Sequence, residues 1–559
     1  MDTTRAETLQ WSKRVESSSA VRDPLGLWGH LQIQVDFVPG ITSVTDRIRY
    51  YTNLAWFWKH LSGKINLGDF ERIFILKCLS HHDGKARDNP HLDDIFNKTR
   101  FESGWNQRKV FDLEFTISGF GRSYYNSQLE VLRCAWTDFA GNVQLSRIND
   151  KLASCLDRLK PEDFLHKQFS KDFLKQRLNG FCVCDSETNA REVDIMSKLF
   201  FGFFSSQDGE WDIDEREYED FLRGDLDLDF ERTAQTTSPE IVLENVSLVR
   251  TDSLRRRNTL FLFLKMIDET HPPGRIEDLR RTVWDATYFR QNRRTKRFIE
   301  FGRLERVRVY WEYFQLNVYY VFALEKTLNA IEILVKQHPG IEKDKLVDDL
   351  KRDVFTRAIA ELLGASQKDL SVSELFKEVW RKNSADRTLL SSPINESTVY
   401  DELADAETPE EMLAFSLVML VLLRKRYEMT DTSIRNYGTQ ERQLELYEDK
   451  LRIEKILGAL LEESGERSLF EYLNLLIDQI VERHLLESAM RLSASGTTNW
   501  IFAEEEGCLT PARQDQLDIR ARDNRWDSIL HLLRDTQFVV DSGSIGLTQR
   551  GTKWLRLIE

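Results

Sequence analysis

The apolar positions of most of the chain recur at intervals of three and four residues, which is the spacing of amphipathic helices. Near the beginning, this pattern predicts a helix over roughly 43–61 with a buried aromatic face, and a second helix that starts at Gly68-Asp69. A longer stripe predicts a helix from about 303 to 337, which Pro339-Gly340 terminates. The residues of this stripe are Tyr310, Phe314, Val318, Val321, Leu324, Leu328, Ile331 and Val335. The pattern therefore predicts a mainly α protein.

Two arginines lie near the start of the first predicted helix. Arg47 and Arg49 are two positions apart, which separates their side chains by about 200° around a helix axis. They cannot share a face, so we expect at most one of them to join a buried ion pair.

Helix-start signals mark the region 409–492. Thr408-Pro409-Glu410-Glu411 combines an N-cap threonine, a proline at the first helical position and a glutamate three residues after the cap. Ser468 and Glu471 repeat the capping-box pattern before an apolar run. The region therefore predicts three helices in an antiparallel bundle.

The pattern changes near the end of the chain. One helical pattern contains Trp526 and a final one contains Trp554, and between them two short apolar runs flank the turn Asp541-Ser542-Gly543. Helix, two-strand ribbon and closing helix is the order found in half of a winged-helix domain. We therefore expect a winged-helix-like module over 493–559 with both indoles in its core.

Shifts in composition along the chain predict a helical protein with several domains. The segments are a loose lead-in over 1–22, an N-terminal helical domain over 23–235, a middle helical region with a basic segment over 236–365, a linker over 366–408, a helical bundle over 409–492 and the winged-helix-like module over 493–559.

Composition and charge exclude several functional classes. The chain has 559 residues, of which 41% are hydrophobic and 30% charged, as in a folded globular protein. Its net charge of −14 argues against a general nucleic-acid coat or an anionic-membrane binder, but it permits a local basic patch. The first ten residues show no apolar signal segment, and the longest apolar run, Met412–Leu423, is too short to span a membrane. Six scattered cysteines form no C-x-x-C pair. We therefore expect a soluble, cytoplasmic protein with free thiols.

The segment from Asp208 to Arg232 is strongly acidic, with twelve Asp or Glu residues against three Arg. Five carboxylates fall at positions 1, 3, 5, 7 and 12 of a calcium loop: Asp208, Glu210, Asp212, Asp214 and Glu219. The required glycine at position 6 is replaced by Ile213. The segment is therefore interpreted as a solvated acidic face. The alternative is a divalent-cation site that could serve a nuclease.

Histidines and cysteines offer further candidate ligands. His81-His82-Asp83 and the nearby 91–94 segment contain imidazoles and carboxylates, and Cys78 could join them, but their spacing matches no zinc pattern. They are interpreted as polar loop residues. Cys182 and Cys184 alternate across a predicted strand, so their side chains should point in opposite directions. We therefore predict no metal and no cofactor. His484 lies on an apolar helix face and is interpreted as a hydrogen-bonded core histidine.

Basic residues with interleaved aromatics suggest contact with nucleic acid at 290–308. The alternative is a solvated helix face, or an arginine cluster paired with the acidic segment. Basic residues of the C-terminal module could anchor the phosphates of DNA, whereas Asp527 and Asp535 oppose DNA reading. Two alternatives therefore stay open for this module: it reads DNA, or it docks a protein. The predicted nucleic-acid-binding residues are Arg290, Arg293, Arg294, Lys296, Arg297, Arg525, Arg534 and Arg550.

Two phrases of the sequence resemble a family of large bacterial proteins encoded in phage-defence gene clusters, often beside helicases or nucleases. One is Asp23-Pro24-Leu25-Gly26 followed by Pro39-Gly40-Ile41-Thr42-Ser43-Val44-Thr45-Asp46-Arg47-Ile48-Arg49-Tyr50-Tyr51. The other is Arg483-His484 with Asn524-Arg525-Trp526, Leu533-Arg534-Asp535, Leu547-Thr548 and Gly551. The resemblance covers about the first 60 and last 80 residues. It transfers no catalytic residue, and it implies a cytosolic component of a multi-gene antiviral system.

The chain contains no phosphate-binding glycine loop, no G-x-S-x-G and no H-E-x-x-H motif. The expected function is therefore a non-enzymatic DNA- or protein-binding component of a bacterial antiviral defence system. Its expected partners are the other subunits of the complex, such as a helicase or nuclease, and DNA, with no membrane. The alternative is a metal-dependent nuclease effector that uses the acidic residues of 208–231.

Overall fold

The structure of the protein is a computed structural model. It describes residues 23–27, 34, 37–42, 47–82, 105, 109–114, 126–137, 143–202, 204–207, 210–213, 246–272, 276–364, 370–382, 388–435, 451, 453, 455–457, 466–495, 500–513, 517, 519, 525–541 and 543–559. It is 65% helical and 9% strand, which confirms the prediction of a mainly α protein. Among the residues it describes, no helix is both long and apolar enough to cross a membrane.

The α-helices with described bounds are labelled in chain order. They are α1 (Ile48–His60), α2 (Leu67–His81), α3 (Asn126–Val131), α4 (Arg147–Ala153), α5 (Lys171–Arg177), α6 (Ala190–Phe201), α7 (Val246–Thr270), α8 (Ile276–Phe289), α9 (Glu305–Gln337), α10 (Arg352–Leu363), α11 (Val372–Lys382), α12 (Glu396–Asp405), α13 (Pro409–Met429), α14 (Leu469–Ser495), α15 (Trp526–Asp535) and α16 (Gln549–Leu555).

The strands are short and antiparallel. They are β1 (Val110–Asp112), β2 (Ala135–Thr137), β3 (Val143–Leu145), β4 (Gln168–Ser170), β5 (Phe204–Gln207), β6 (Glu210–Ile213), β7 (Ile341–Glu342), β8 (Phe502–Glu505), β9 (Cys508–Pro511), β10 (Val539–Asp541) and β11 (Ile545–Leu547). Within the described residues they form the pairs β1–β4, β2–β3, β5–β6 and β10–β11 and the three-stranded sheet β7–β9–β8. In that sheet, β7 pairs through Ile341↔Leu509 and so joins the middle of the chain to its C-terminal part.

Helix α9 lies at the centre of the core. From Val307 to Val335 almost every side chain is buried. The helix carries apolar and aromatic residues on all of its faces, as is typical of a helix inside a core. Helix α13 packs along it, and the Ser416 hydroxyl donates to the Ala323 carbonyl at 3.0 Å. The predicted helix over 303–337 is therefore confirmed, and it serves as the scaffold on which the other helices pack.

The capping signals at two helix starts are confirmed. The Thr408 side chain accepts from the Glu411 N–H, and the Glu411 carboxylate accepts from the Thr408 N–H. Ser468 and Glu471 make the same reciprocal pair at α14. Two of the three helices predicted over 409–492 are described, and the position of the third lies largely outside the described residues.

The described parts of the segment predicted as a linker, 366–408, are largely helical. They contain α11 and α12, and the Glu396 side chain at the start of α12 is fully buried. Val372, Leu375 and Val379 form a buried face of α11 at helical spacing. The charged residues on the other faces give the segment its polar composition, which is why composition alone suggested a linker.

Both N-terminal arginines form buried ion pairs, contrary to the expectation that only one can. Arg47 Nε lies 2.9 Å from Asp535 Oδ2, and an Arg49 terminal nitrogen lies 2.6 Å from Glu192 Oε2. Arg47 is the extended N-cap residue of α1 and lies outside the helix, whereas Arg49 lies within its first turn. The separation of about 200° expected for two helical positions therefore does not apply, and each arginine reaches its own buried carboxylate.

The C-terminal residues pack against the rest of the protein. Helix α15, the β10–β11 hairpin and α16 follow one another in the predicted order. Trp526 is buried, and its ring centroid lies 4.3 Å from that of Trp311 in α9. Trp554 is partly buried against Phe201 and Phe538. The expected core position is therefore confirmed for Trp526, whereas Trp554 lies at the edge of the core.

His484 is a core histidine, as the sequence predicted. Its Nδ1 lies 3.0 Å from the Pro24 carbonyl, and its Nε2 accepts from the Ile501 N–H at 3.1 Å. This pattern requires a neutral ring with the proton on Nδ1. Burial lowers the pKa of His484 to about 4, although the Pro24 hydrogen bond and Glu487 oppose the shift.

We expect acidification to destabilise the protein through His484. The unfolded ring titrates near its ordinary pKa of 6.5, whereas the folded ring titrates near 4. The unfolded state therefore binds more protons between these values, so up to about 3 kcal/mol of stability, present above the unfolded pKa, is lost as the pH falls through this window. Urea unfolding of the wild type and His484→Gln at neutral pH and at a pH of about 4.5 measures the difference.

The variant should lose this component of the pH dependence, while His338→Gln, at an exposed position, should retain it. Buried carboxyl groups such as Asp535 have raised pKa values because of burial and contribute equally in all three proteins. Identical pH profiles for the wild type and His484→Gln would contradict the assignment.

Candidate metal centre

Two short segments that are 100 residues apart in sequence meet at the C-terminal end of α2. His81 is the last residue of this helix and His82 is its C-cap, with the His82 N–H donating to the Cys78 carbonyl at 3.0 Å. On the other side, Cys182 precedes a 3₁₀ turn over Val183–Thr188. The backbone of His82 and the turn are therefore each held by regular hydrogen-bonded structure.

The turn that carries the two cysteines is anchored on the core. The Phe181 ring packs against Phe70 and Phe74 of α2, with centroid distances of 5.4 and 5.2 Å. The Asp185 carboxylate accepts from the Cys182 N–H at 2.9 Å and closes the turn. Packing of Phe181 on α2 brings the neighbouring thiols next to the histidines that end the same helix.

Four potential ligand atoms converge at this place. The side chains of His81, His82, Cys182 and Cys184 each offer one atom, and these atoms all lie within 4.8 Å of one another. The Cys182 Sγ is 3.4 Å from His82 Nε2, and the Cys184 Sγ is 3.1 Å from His81 Nδ1 and 3.5 Å from the Cys182 Sγ. A tetrahedral Zn²⁺ with ordinary Zn–S and Zn–N bonds would hold its ligand atoms roughly 3.3–3.8 Å apart. The cluster therefore has nearly the dimensions of a zinc site.

The two histidines reach the cluster with different nitrogens. His81 faces it with Nδ1, which is close to the backbone, and His82 faces it with Nε2 at the far edge of the ring. Adjacent residues of a helix end point in different directions, so unequal reach is what allows both rings to approach one point. The spacings Cys-x-Cys and His-His are shorter than those of common zinc motifs, which is why no known pattern matches.

The protonation of the cluster would change when a cation binds. The hydrogen bond with Cys184 lowers the pKa of Cys182, but the hydrogen bond with Cys78 and burial raise it more strongly, so the thiol is neutral without a metal. A bound Zn²⁺ would deprotonate both thiols. Its positive charge would also lie at the C-terminal, negative end of the α2 dipole. Burial lowers the pKa of the neighbouring Lys77, while Asp185 and the cysteines raise it.

The sequence interpretation of these residues was wrong in two ways. Cys182 and Cys184 do not point in opposite directions, because the segment forms a 3₁₀ turn and not a strand. His81 and His82 belong to a helix end and not to a loop. Asp83 and the 91–94 segment lie outside the described residues. The paired Cys-x-Cys and His-His dipeptides were the available signal, but nothing in their local sequence shows that they meet.

Only part of the acidic segment behind the nuclease alternative is described, so this alternative stays a prediction. Asp212, which lies in β6, forms an ion pair with Lys151 at 2.8 Å. The rest of the proposed carboxylate set lies largely outside the described residues.

The basic residues predicted to bind nucleic acid fall into two groups. Three of them are occupied in the C-terminal part: Arg525 is buried and donates to the Ile41 carbonyl, Arg534 lies half-buried beside Asp535, and Arg550 stacks over Phe538. Arg525 therefore supports the fold and is not available to anchor a phosphate. It was mispredicted because sequence alone did not show that the N-terminal segment covers it.

The second group lies in a turn between α8 and α9. Arg290 pairs with Glu300 at 3.0 Å, and Arg293 pairs with the buried Asp285. The remaining three, Arg294, Lys296 and Arg297, are exposed. The structure thus separates two arginines with structural contacts from three solvent-facing cations.

Comparison of the chain with protein-family models, with curated proteins and with solved structures finds no match. The class of protein is therefore defined by its own features, which are a mainly α fold and a cluster of two cysteines and two histidines.

Proposed function

We propose that the protein binds one Zn²⁺ ion through His81, His82, Cys182 and Cys184, and that the ion has a structural role. The observation that carries the proposal is the convergence of these four side-chain ligand atoms within 4.8 Å. Two sulfur and two imidazole ligands form a set that zinc prefers. Because protein side chains would fill all four positions, no coordination position is left for a substrate or a reactive water.

The structural role follows from where the ligands lie. The ion would join the end of α2 to the 182–184 turn, which closes a loop of 100 residues. A cross-link of this kind stabilises the folded state in part because it reduces the conformational entropy of the unfolded chain. The site also lies partly at the surface, since His81 is exposed and His82 and Cys184 are half-buried, so an ion can reach it from solvent.

Metal analysis of the full chain tests the proposal. We expect one zinc per chain after purification, and, after exchange, a Co²⁺ form with the visible absorption of a tetrahedral sulfur–nitrogen site. The double variant Cys182→Ser with Cys184→Ser should bind neither ion tightly. Matched controls are Cys508→Ser, a half-buried cysteine in β9, and His338→Asn, an exposed histidine.

The proposal fails if the wild type binds no zinc or cobalt, or if the double variant binds them as well as the controls do. A cobalt spectrum typical of octahedral coordination would also contradict the four-ligand set.

A closed zinc site is compatible with the wider function that the sequence suggested, a non-enzymatic binding component of a bacterial antiviral defence system. The support for this wider proposal is the resemblance at both ends of the chain and the absence of catalytic motifs from the sequence. The helix–hairpin–helix order of α15, β10–β11 and α16 supports a winged-helix-like arrangement as part of the same proposal. Co-purification of the full chain with the products of neighbouring genes tests it.

A further inference from the structure

The turn between α8 and α9 is held rigidly by hydrogen bonds. The Asn292 N–H donates to the Arg297 carbonyl at 2.9 Å, and the Lys296 N–H donates to the Asn292 carbonyl at 2.8 Å. The Asn292 side chain accepts from the N–H groups of Arg294 and Thr295 and donates to the Glu269 carbonyl of α7. The backbone of the turn is therefore fixed before any ligand arrives, which reduces the entropy that binding would cost.

The side chains of this turn are basic and aromatic, although the protein as a whole has a net charge of −14. Arg294, Lys296 and Arg297 are exposed, and the Phe298 that follows them is 59% exposed. Phe298 is the most exposed of the large hydrophobic side chains that the structure describes. Lys296 also has a φ of 56°, a left-handed conformation that ordinarily favours glycine or asparagine. The turn thus presents three cations and one aromatic ring on a rigid base.

Among the residues that the structure describes, the acidic groups near the turn pair with other arginines and not with these three cations. Glu300 and Glu305 lie 3.0 and 3.7 Å from Arg290 at the base of the turn. Asp285 is buried and pairs with Arg293. The ion pairs therefore belong to the arginines that hold the turn, and the three cations at its tip face solvent.

This combination fits a single strand of nucleic acid better than other anionic partners. Arg and Lys can neutralise phosphates, and an exposed phenyl ring can stack on a base. In a duplex the faces of the bases are already stacked on one another, so the ring would find no partner. An acidic peptide would satisfy the cations but would give the ring no specific contact.

We propose that the basic turn, residues 293–298, is a binding site for single-stranded nucleic acid, with Arg294, Lys296 and Arg297 on phosphates and Phe298 on a base. The proposal is independent of the zinc site. Three phosphate contacts and one stacked base form a small site, so the affinity of the isolated chain should be modest and strongly dependent on salt.

Fluorescence anisotropy with the full chain and short labelled oligonucleotides tests the proposal. The probes are a single-stranded DNA, a single-stranded RNA of the same sequence, the corresponding DNA duplex and an oligoglutamate peptide. For a single strand, the log–log dependence of affinity on salt should have a slope of about −2, because each neutralised phosphate contributes about −0.7. The duplex and the peptide should bind more weakly. Comparison of the affinities for the DNA and RNA strands shows which of the two nucleic acids the site prefers.

Variants separate the charges from the ring. Arg294→Ala combined with Arg297→Ala should reduce the magnitude of the salt slope by about 1.4. Phe298→Ala should weaken binding about tenfold or more without changing the slope, whereas Phe298→Trp should retain binding. The charge-matched control is Arg357→Ala with Arg381→Ala, which removes two exposed arginines elsewhere and should bind like the wild type.

Several results would overturn the proposal. The first is no binding of either single strand by the wild type at low salt. The second is an equal loss of affinity in the control variant, which would show that only the net charge matters. The third is tighter binding of the oligoglutamate peptide through the same residues, which would make the turn a docking site for an acidic protein.

Discussion

Replacement of Arg426 by methionine should lower the free energy of unfolding by about 3–5 kcal/mol, because it leaves the buried carboxylate of Glu396 without its charged partner. The guanidinium lies 3.0 Å from Glu396 and 2.6 Å from Glu312, and it donates to the carbonyls of Tyr288 and Thr388. It also lies 4.0 Å from the centre of the Tyr288 ring. Burial lowers the pKa of Arg426, but the two glutamates and Tyr288 raise it more, so the group stays charged.

The expected loss is large because Glu396 would be left mainly with neutral donors. Glu312 would retain Arg308, which lies at 2.7 Å. Arg426→Lys should lose part of the same energy, because an ammonium cannot reproduce the geometry of a guanidinium that contacts two carboxylates and two carbonyls. These changes are measured as shifts in the urea midpoint at an unchanged denaturant slope.

The matched control for Arg426→Met is Arg381→Met, whose partner Glu378 lies in the same helix at the surface. An exposed pair of this kind contributes little to stability, because water and salt screen it. A loss no larger than that of the control would show that the buried network is not required for stability.

Local signals were sufficient to predict several elements of the fold. The capping box at Thr408, the apolar stripe of α9 and the start of α2 each depend on residues within a few positions of one another. A helix start is decided by the backbone groups of its own first turn. Such features can be derived from a short window of sequence.

Features that depend on distant contacts could not be predicted in this way. Glu396 reads as a surface residue of a polar segment until Arg426 is placed beside it. The same holds for Arg525, whose partner is the Ile41 carbonyl. In each case the burial of a charged group depends on a second segment that only the tertiary structure identifies.

The candidate metal centre shows the same limit most clearly. Each half of the site is a dipeptide or tripeptide without a recognisable zinc spacing, and Phe181 is what positions one half on the other by packing on α2. The basic character of the turn is visible in the sequence, and the binding of nucleic acid by Arg294, Lys296 and Arg297 stays a prediction. The ion pairs of Arg290 and Arg293 were not predicted. Their partners, Glu300 and Asp285 of α8, come close to them only through the geometry of the turn.

Removal of the proposed zinc ion should destabilise the protein as strongly as loss of the buried Arg426 network. A ligand that binds only the folded state stabilises it by about 4 kcal/mol when its free concentration is a thousand times its dissociation constant. Structural zinc sites commonly bind tightly enough to exceed this ratio. We therefore expect a strong chelator to lower the thermal midpoint of the wild type by several degrees, and added Zn²⁺ to restore it.

Cys184→Ser should begin near the lower midpoint and respond little to either treatment, because one of the four ligands is missing. Cys508→Ser should respond like the wild type. A chelator effect of equal size in Cys184→Ser and in the wild type would show that the four-residue cluster is not the site from which the chelator removes metal.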